Sequence, residues 1–110
     1  MKKVFVIIPI IFSFLVAGDY SDGFKLYIKA KKELRQGHKK AAKDLFLQAR
    51  DKFLISAANT NSSSAFMKLA ELYCNGWGPN KNTVKAKEYL QKAEQLSGAM
   101  PSNKCLKKLK

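Results

Sequence analysis

Ala42, Phe46 and Ala49 are followed 44 positions later by Ala86, Leu90 and Ala93, with the same spacing of four and then three. Apolar residues three and four apart share one face of an α-helix. A helical face that returns at a fixed offset of this size predicts stacked helix pairs. A sheet does not fit, because no stretch sustains the alternation of a half-buried strand. The alanines let the helices of a pair approach closely, and the large residue between them fills a neighbour's groove. Ala30 and Ala70 give a further match at an offset of 40. The four-residue difference falls in a Gly-rich loop, where an insertion costs little.

The same periodicity predicts four helices and the start of a fifth. Phe24, Tyr27, Ile28 and Leu34 mark one face of the first. Ala42, Leu45, Phe46, Ala49 and Phe53 mark the second, and Phe66, Leu69, Ala70 and Tyr73 the third. Ala86, Tyr89, Leu90, Ala93 and Leu96 mark the fourth, and Leu106 and Leu109 begin the fifth. Gly37 separates the first two. The run 59–64, Asn-Thr-Asn-Ser-Ser-Ser, reads as a polar loop whose serines cap the third helix. The run 75–80, Asn-Gly-Trp-Gly-Pro-Asn, breaks any helix, and Asn82 or Thr83 caps the fourth. Ser97-Gly98 ends it.

The first 18 residues are of another kind. Lys2 and Lys3 precede the uncharged run Val4–Ala17, 14 residues long, or about 21 Å as a helix. That is short for a bilayer core of about 30 Å. Val16 and Gly18 stand at −3 and −1 of a cut before Asp19. This is the layout of a cleaved secretory signal at 1–18. No Cys follows the apolar run, so a lipid anchor is not expected. Removing 18 of the 110 residues, two lysines among them, takes the charge from +13 to +11 over 92 residues. No second apolar run is long enough to span a membrane. The expectation is an exported protein, periplasmic or secreted and bacterial, with no transmembrane anchor after processing.

The run Ala65–Ala93 resembles a Sel-one-like repeat, a relative of the tetratricopeptide repeat. Leu69, Tyr73, Gly76, Gly78, Lys85, Ala86, Tyr89, Lys92 and Ala93 carry the resemblance. The hairpin at 22–58 resembles a degenerate tetratricopeptide unit through Ala30, Ala42, Phe46 and Ala49. Residues 64–97 form the Sel-one-like repeat, and 102–110 look like a terminal or capping helix. Pro79 stands where the family often has Val, Asn82 where it has Asp, and Glu94 where it has a second Ala. The resemblance implies an all-α domain over 19–110. It would be a short right-handed solenoid of stacked antiparallel helix pairs, with a concave surface lined by the first helix of each pair.

Cys74 and Cys105 are the two cysteines of the chain. An even count in an oxidising compartment favours a disulfide over two free thiols. On the repeat reading Cys74 ends one first-type helix and Cys105 lies in the next. The loop of 31 residues would contribute about 3–4 kcal/mol. Exported cysteine-rich members of that family use closely spaced Cys pairs, a pattern absent here. Some of them are catalogued as β-lactamases, which makes a cell-envelope enzyme the alternative function. The chemistry for it is thin. No Ser has Lys three residues on. His38 is the one histidine, too few for a zinc site, and it reads as a solvated loop residue. No catalytic residue, metal or cofactor is expected.

What remains is binding. The chain has 21 Lys and Arg against 8 Asp and Glu, which makes an anionic partner one reading and a solvated surface the other. Nucleic acid is disfavoured, since Arg35 and Arg50 are the only arginines and no reading motif is present. The expected function is an adaptor for a protein or peptide, acidic partners included. The candidate contacts, from helical phase, are Lys25, Lys29, Lys32, Lys68 and Glu71, with Trp77 either packed inward or held out to a partner. A third class is a structural or secretion component that self-associates, because two and a half repeats leave stack ends open.

Overall fold

The computed structural model describes residues 19–98 and 100–109. The proposed export signal at 1–18 lies outside the described residues. Every regular element among them is helical: α1 (Asp19–Arg35), α2 (Lys39–Thr60), α3 (Ser63–Asn75), α4 (Thr83–Ser97) and α5 (Lys104–Leu109). Packing is most extensive between α1 and α2 and between α3 and α4. Helix α2 lies against α3 and so links the two pairs, while α5 sits on α3 and α4.

Small residues set this arrangement. Ala30, Ala42, Ala49, Ala65, Ala70, Ala86 and Ala93 are all buried, and the large residues of the repeated pattern, Phe46 and Leu90, are buried with them. The main core gathers Tyr27, Phe46, Phe53, Phe66, Leu69 and Leu72 around Ala30, Ala42, Ala49, Ala65 and Ala93. A second cluster joins Ala70, Tyr73, Cys74, Ala86, Leu90 and Leu106, and ties α5 to the α3–α4 pair. At the other end, the buried carboxylate of Asp19 lies 3.7 Å from Lys52 Nζ of α2, which fastens the start of α1.

The helix ends follow local hydrogen-bond chemistry. Ser62 Oγ accepts from the Ala65 amide at 3.1 Å, and Asn82 Oδ1 accepts from the Lys85 amide at 3.0 Å. Each satisfies a donor that an N-terminal turn leaves unpaired. Asn103 does the same for α5, accepting from the amides of Cys105 (2.9 Å) and Leu106 (3.4 Å).

Two expectations need correction. The polar run 59–64 is not all loop, because α2 continues to Thr60. Asn59 Nδ2 donates to the Ile55 carbonyl (2.9 Å) and Thr60 Oγ1 to the Ser56 carbonyl (2.7 Å). These side chains bond back onto the last turn and extend it. In α1, Phe24 and Ile28 do not belong to the packed face; they are 39% and 48% exposed. The stripe facing inward is Gly23, Tyr27 and Ala30. At about 100° per residue, Phe24, Ile28 and Lys31 lie roughly a quarter-turn or more around from it.

The loop after α3 folds back on the first pair. Trp77 stacks on Phe46 of α2, with ring centroids 5.4 Å apart and planes 11° from parallel. Gly78 follows with φ +92°, and a Cβ there would stand 2.8 Å from Phe46 Cβ and 3.1 Å from the Leu47 amide nitrogen. Only glycine fits so close to a neighbouring helix at that backbone angle.

Candidate functional site

Helices α1 and α3 are bridged by side chains. Tyr27 Oη of α1 donates to Glu71 Oε1 of α3, and both residues are buried. Lys68 Nζ lies 3.5 Å from Glu71 Oε2 and 4.5 Å from the centre of the Tyr27 ring. The Glu71 carboxylate is therefore held by a phenol on one oxygen and an ammonium on the other, the arrangement a buried charge requires. Burial is the main cause, and the hydrogen bond to Glu71 with the nearby carboxylate charge the next, of a Tyr27 phenol pKa raised well above its usual 10.

A groove of about 440 Å³ opens above this bridge. Phe24, Ile28 and Lys31 of α1 form one wall, Lys68 and Glu71 the floor, and Ser102, Asn103 and Lys104, leading into α5, the other wall. It runs into a second hollow of about 310 Å³ bounded by Tyr20, Ser64, Met67 and Met100, which shares Lys68, Glu71 and Ser102 with it. The exposed Phe24 and Ile28 side chains give the groove an apolar patch. Lys31, whose Nζ lies 5.4 Å from the ring centres of both Tyr27 and Trp77, together with Lys68 and Lys104, gives it positive charge. Glu71 is the acidic side chain among its lining residues, and it is already engaged.

Lys68 and Glu71, singled out by helical phase, meet in this groove. Lys25, Lys29 and Lys32 do not line it. They are exposed and lie roughly opposite the Tyr27–Ala30 stripe at about 100° per residue. Trp77 is half-buried, stacked on Phe46, with its other contacts to Tyr27 and Lys31. The groove residues that the sequence reading passed over are Phe24, Ile28, Lys31 and Lys104. Three of them sit one helical position before Lys25, Lys29 and Lys32, so a phase error of one residue separates the two sets. The uncertainty lay in which stripe of α1 faces α2; taking Gly23 as an inward position would have resolved it.

The other signature residues have packing positions. Leu69, Ala86 and Ala93 are fully buried. The Tyr73 and Tyr89 rings lie 5.8 Å apart, and Lys85 Nζ sits 5.1 Å over Tyr73. Gly76 is the C-cap of α3. Cys74, buried in the last turn of α3, and Cys105 in α5 are at disulfide distance, with Cα atoms 6.0 Å apart. His38 Nδ1 is 2.7 Å from Glu33 Oε2 on an exposed corner. Among the described residues, no group of three His, Cys, Asp or Glu side chains lies together, and no helix is long and apolar enough to cross a membrane. No family model, curated protein or solved structure matches the chain.

Proposed function

We propose that this chain is an exported adaptor whose groove between α1, α3 and α5 holds a segment of another protein, acidic in character and carrying a large apolar side chain. The observation that carries the reading is the pairing of exposed Phe24 and Ile28 with Lys31, Lys68 and Lys104 along one concavity. An apolar patch beside net positive charge, with Lys31 and Lys104 in excess of the Lys68–Glu71 pair, suits a ligand with the complementary pattern. In this reading the helix pairs form a short right-handed solenoid. Its first pair is a degenerate tetratricopeptide-like hairpin, its second a Sel-one-like repeat, and α5 a cap. The 44-residue return of the Ala-Phe/Leu-Ala pattern supports that order. Export, to the periplasm or beyond, rests on the charged and apolar layout of 1–18 and agrees with two cysteines close enough to bond. With both sulfurs in one bond, neither is available as a nucleophile, which disfavours the enzyme alternative.

Selection of a random peptide display library on the purified protein tests this reading. Enrichment of sequences combining Asp or Glu with Phe, Leu or Ile, lost when Phe24→Ser is used as bait, supports it. Enrichment of basic or composition-neutral sequences, or none, refutes it.

A further inference from the structure

We propose that the Cys74–Cys105 bond is a latch that holds α5 in place as a wall of the groove, so that the groove is complete only in the oxidised chain. The inference rests on the reading of the groove as a binding site, and adds its regulation. Helix α5 has 6 residues, far below the roughly 12–15 that an isolated helix needs to be even marginal in water. Besides the sulfur bridge it is attached by a short apolar contact, in which Leu109 packs against the second cluster beside Leu106. Leu106 is buried in the second cluster, Pro101 is buried just before the helix, and Asn75 Nδ2 donates to Asn103 Oδ1 at a long 3.3 Å. The remaining α5 side chains are exposed or half-exposed. Yet Lys104 at the start of α5, with Ser102 and Asn103 just before it, lines the groove together with Phe24 and Ile28. The one covalent tie between that wall and the rest of the fold, apart from the chain itself, is the bond to Cys74.

The two sulfurs differ in access. Cys74 is fully buried and Cys105 is partly exposed, so a reductant meets Cys105 first. A dithiol serves as the reductant. Its thiolate attacks Cys105 Sγ, the bond to Cys74 breaks, and Cys74 leaves as a thiolate that takes up a proton. The second thiol of the reductant then attacks the mixed disulfide and loses its proton, releasing Cys105, which is protonated in turn. The reductant ends as a disulfide and the protein as two thiols. A chain still reduced before export would thus carry an incomplete groove, and oxidation after export would close it.

The test compares the oxidised protein, the same protein in excess dithiothreitol, and Cys105→Ser, by amide hydrogen exchange and by binding of a fluorescent peptide rich in Glu and Phe. Circular dichroism checks that α1–α4 stay folded. Amides of 104–109 should exchange about a hundredfold faster on reduction and end near the rate of an open segment, while those of α2 and α3 speed up only as far as global stability falls and stay strongly protected. Peptide affinity should fall at least about tenfold in both forms that lack the bond. Unchanged protection of 104–109, or equal affinity in both redox states, would overturn the latch. If protection falls on reduction but the peptide binds in neither state, the groove as a binding site fails while the tether of α5 stands. If reduction unfolds the whole chain, the bond is a general staple and the latch is refuted.

Discussion

Replacing Gly78 by alanine should destabilise the fold far more than the same change at Gly37, and the difference measures how tightly the Trp77 loop is pressed on α2. The two glycines have nearly the same backbone angle, φ +92° and +86°. Alanine at either position pays a conformational penalty of order 1–3 kcal/mol, and any gain from a stiffer unfolded chain is common to both. Their surroundings differ. Nothing lies within 4 Å of a Cβ at Gly37, whereas a Cβ at Gly78 would meet Phe46 Cβ at 2.8 Å and backbone atoms of Phe46 and Leu47 at 3.2 and 3.1 Å. These are atoms of a packed helix, not the end of a flexible side chain, so relief requires the loop to lift. Overpacking of this kind costs about 1–3 kcal/mol. Before the gain common to both, Gly78→Ala should therefore lose about 2–6 kcal/mol and Gly37→Ala about 1–3 kcal/mol, with a Tm gap of about 4–8 °C for each kcal/mol between them. Urea unfolding of both variants and the parent, with unchanged m-values, gives the numbers. Equal losses would mean that the loop does not touch α2, and the packing that locks the two helix pairs together would be wrong.

Trp77 is the sole tryptophan of the chain, so its fluorescence reports the same contact. Phe46→Ala should move its emission to the red and cost about 3–5 kcal/mol in urea unfolding; an unmoved spectrum counts against the stack. Tyr20, Tyr27 and Tyr89 all have phenol pKa values raised, burial being the first cause in each. Above about pH 10 the unfolded chain loses phenolic protons that the folded chain keeps, so the stability these groups contribute, complete below that pH, falls as pH rises. Tyrosinate absorbance should lag the unfolded reference until the alkaline unfolding transition, and titration of all tyrosines at the usual value would refute this. Opening the 31-residue loop by Cys105→Ser should cost about 3–4 kcal/mol of global stability, read as a shift of the urea midpoint; no shift would refute it.

Periodicity made the helices and their caps legible, because the same alanines that set the spacing are the ones that end up buried. Ser62 and Asn82 could be read as caps because their side chains act on amides only three residues away. Where a helix faces a partner was harder. Along α1 the apolar residues Phe24, Tyr27 and Ile28 span more than one stripe, and only the contact with α2 selects Tyr27 and leaves its neighbours exposed. The groove was half legible for that reason: Lys68 and Glu71 lie on the well-patterned α3, while the α1 contribution is shifted by one residue. The extension of α2 through Asn59 and Thr60 depends on whether polar side chains bond back or forward, which residue type alone does not decide.

The central claim is that the groove selects an acidic, apolar-bearing segment. Its most direct test is fluorescence anisotropy with a labelled Glu- and Phe-rich peptide against the oxidised protein and its Lys31→Glu/Lys104→Glu variant, with melting curves to confirm equal folding. The parent should bind saturably, more weakly with added salt, and the charge-reversed variant should not bind. Binding that is indifferent to both lysines, or stronger for the matched Lys- and Phe-rich peptide, would contradict it.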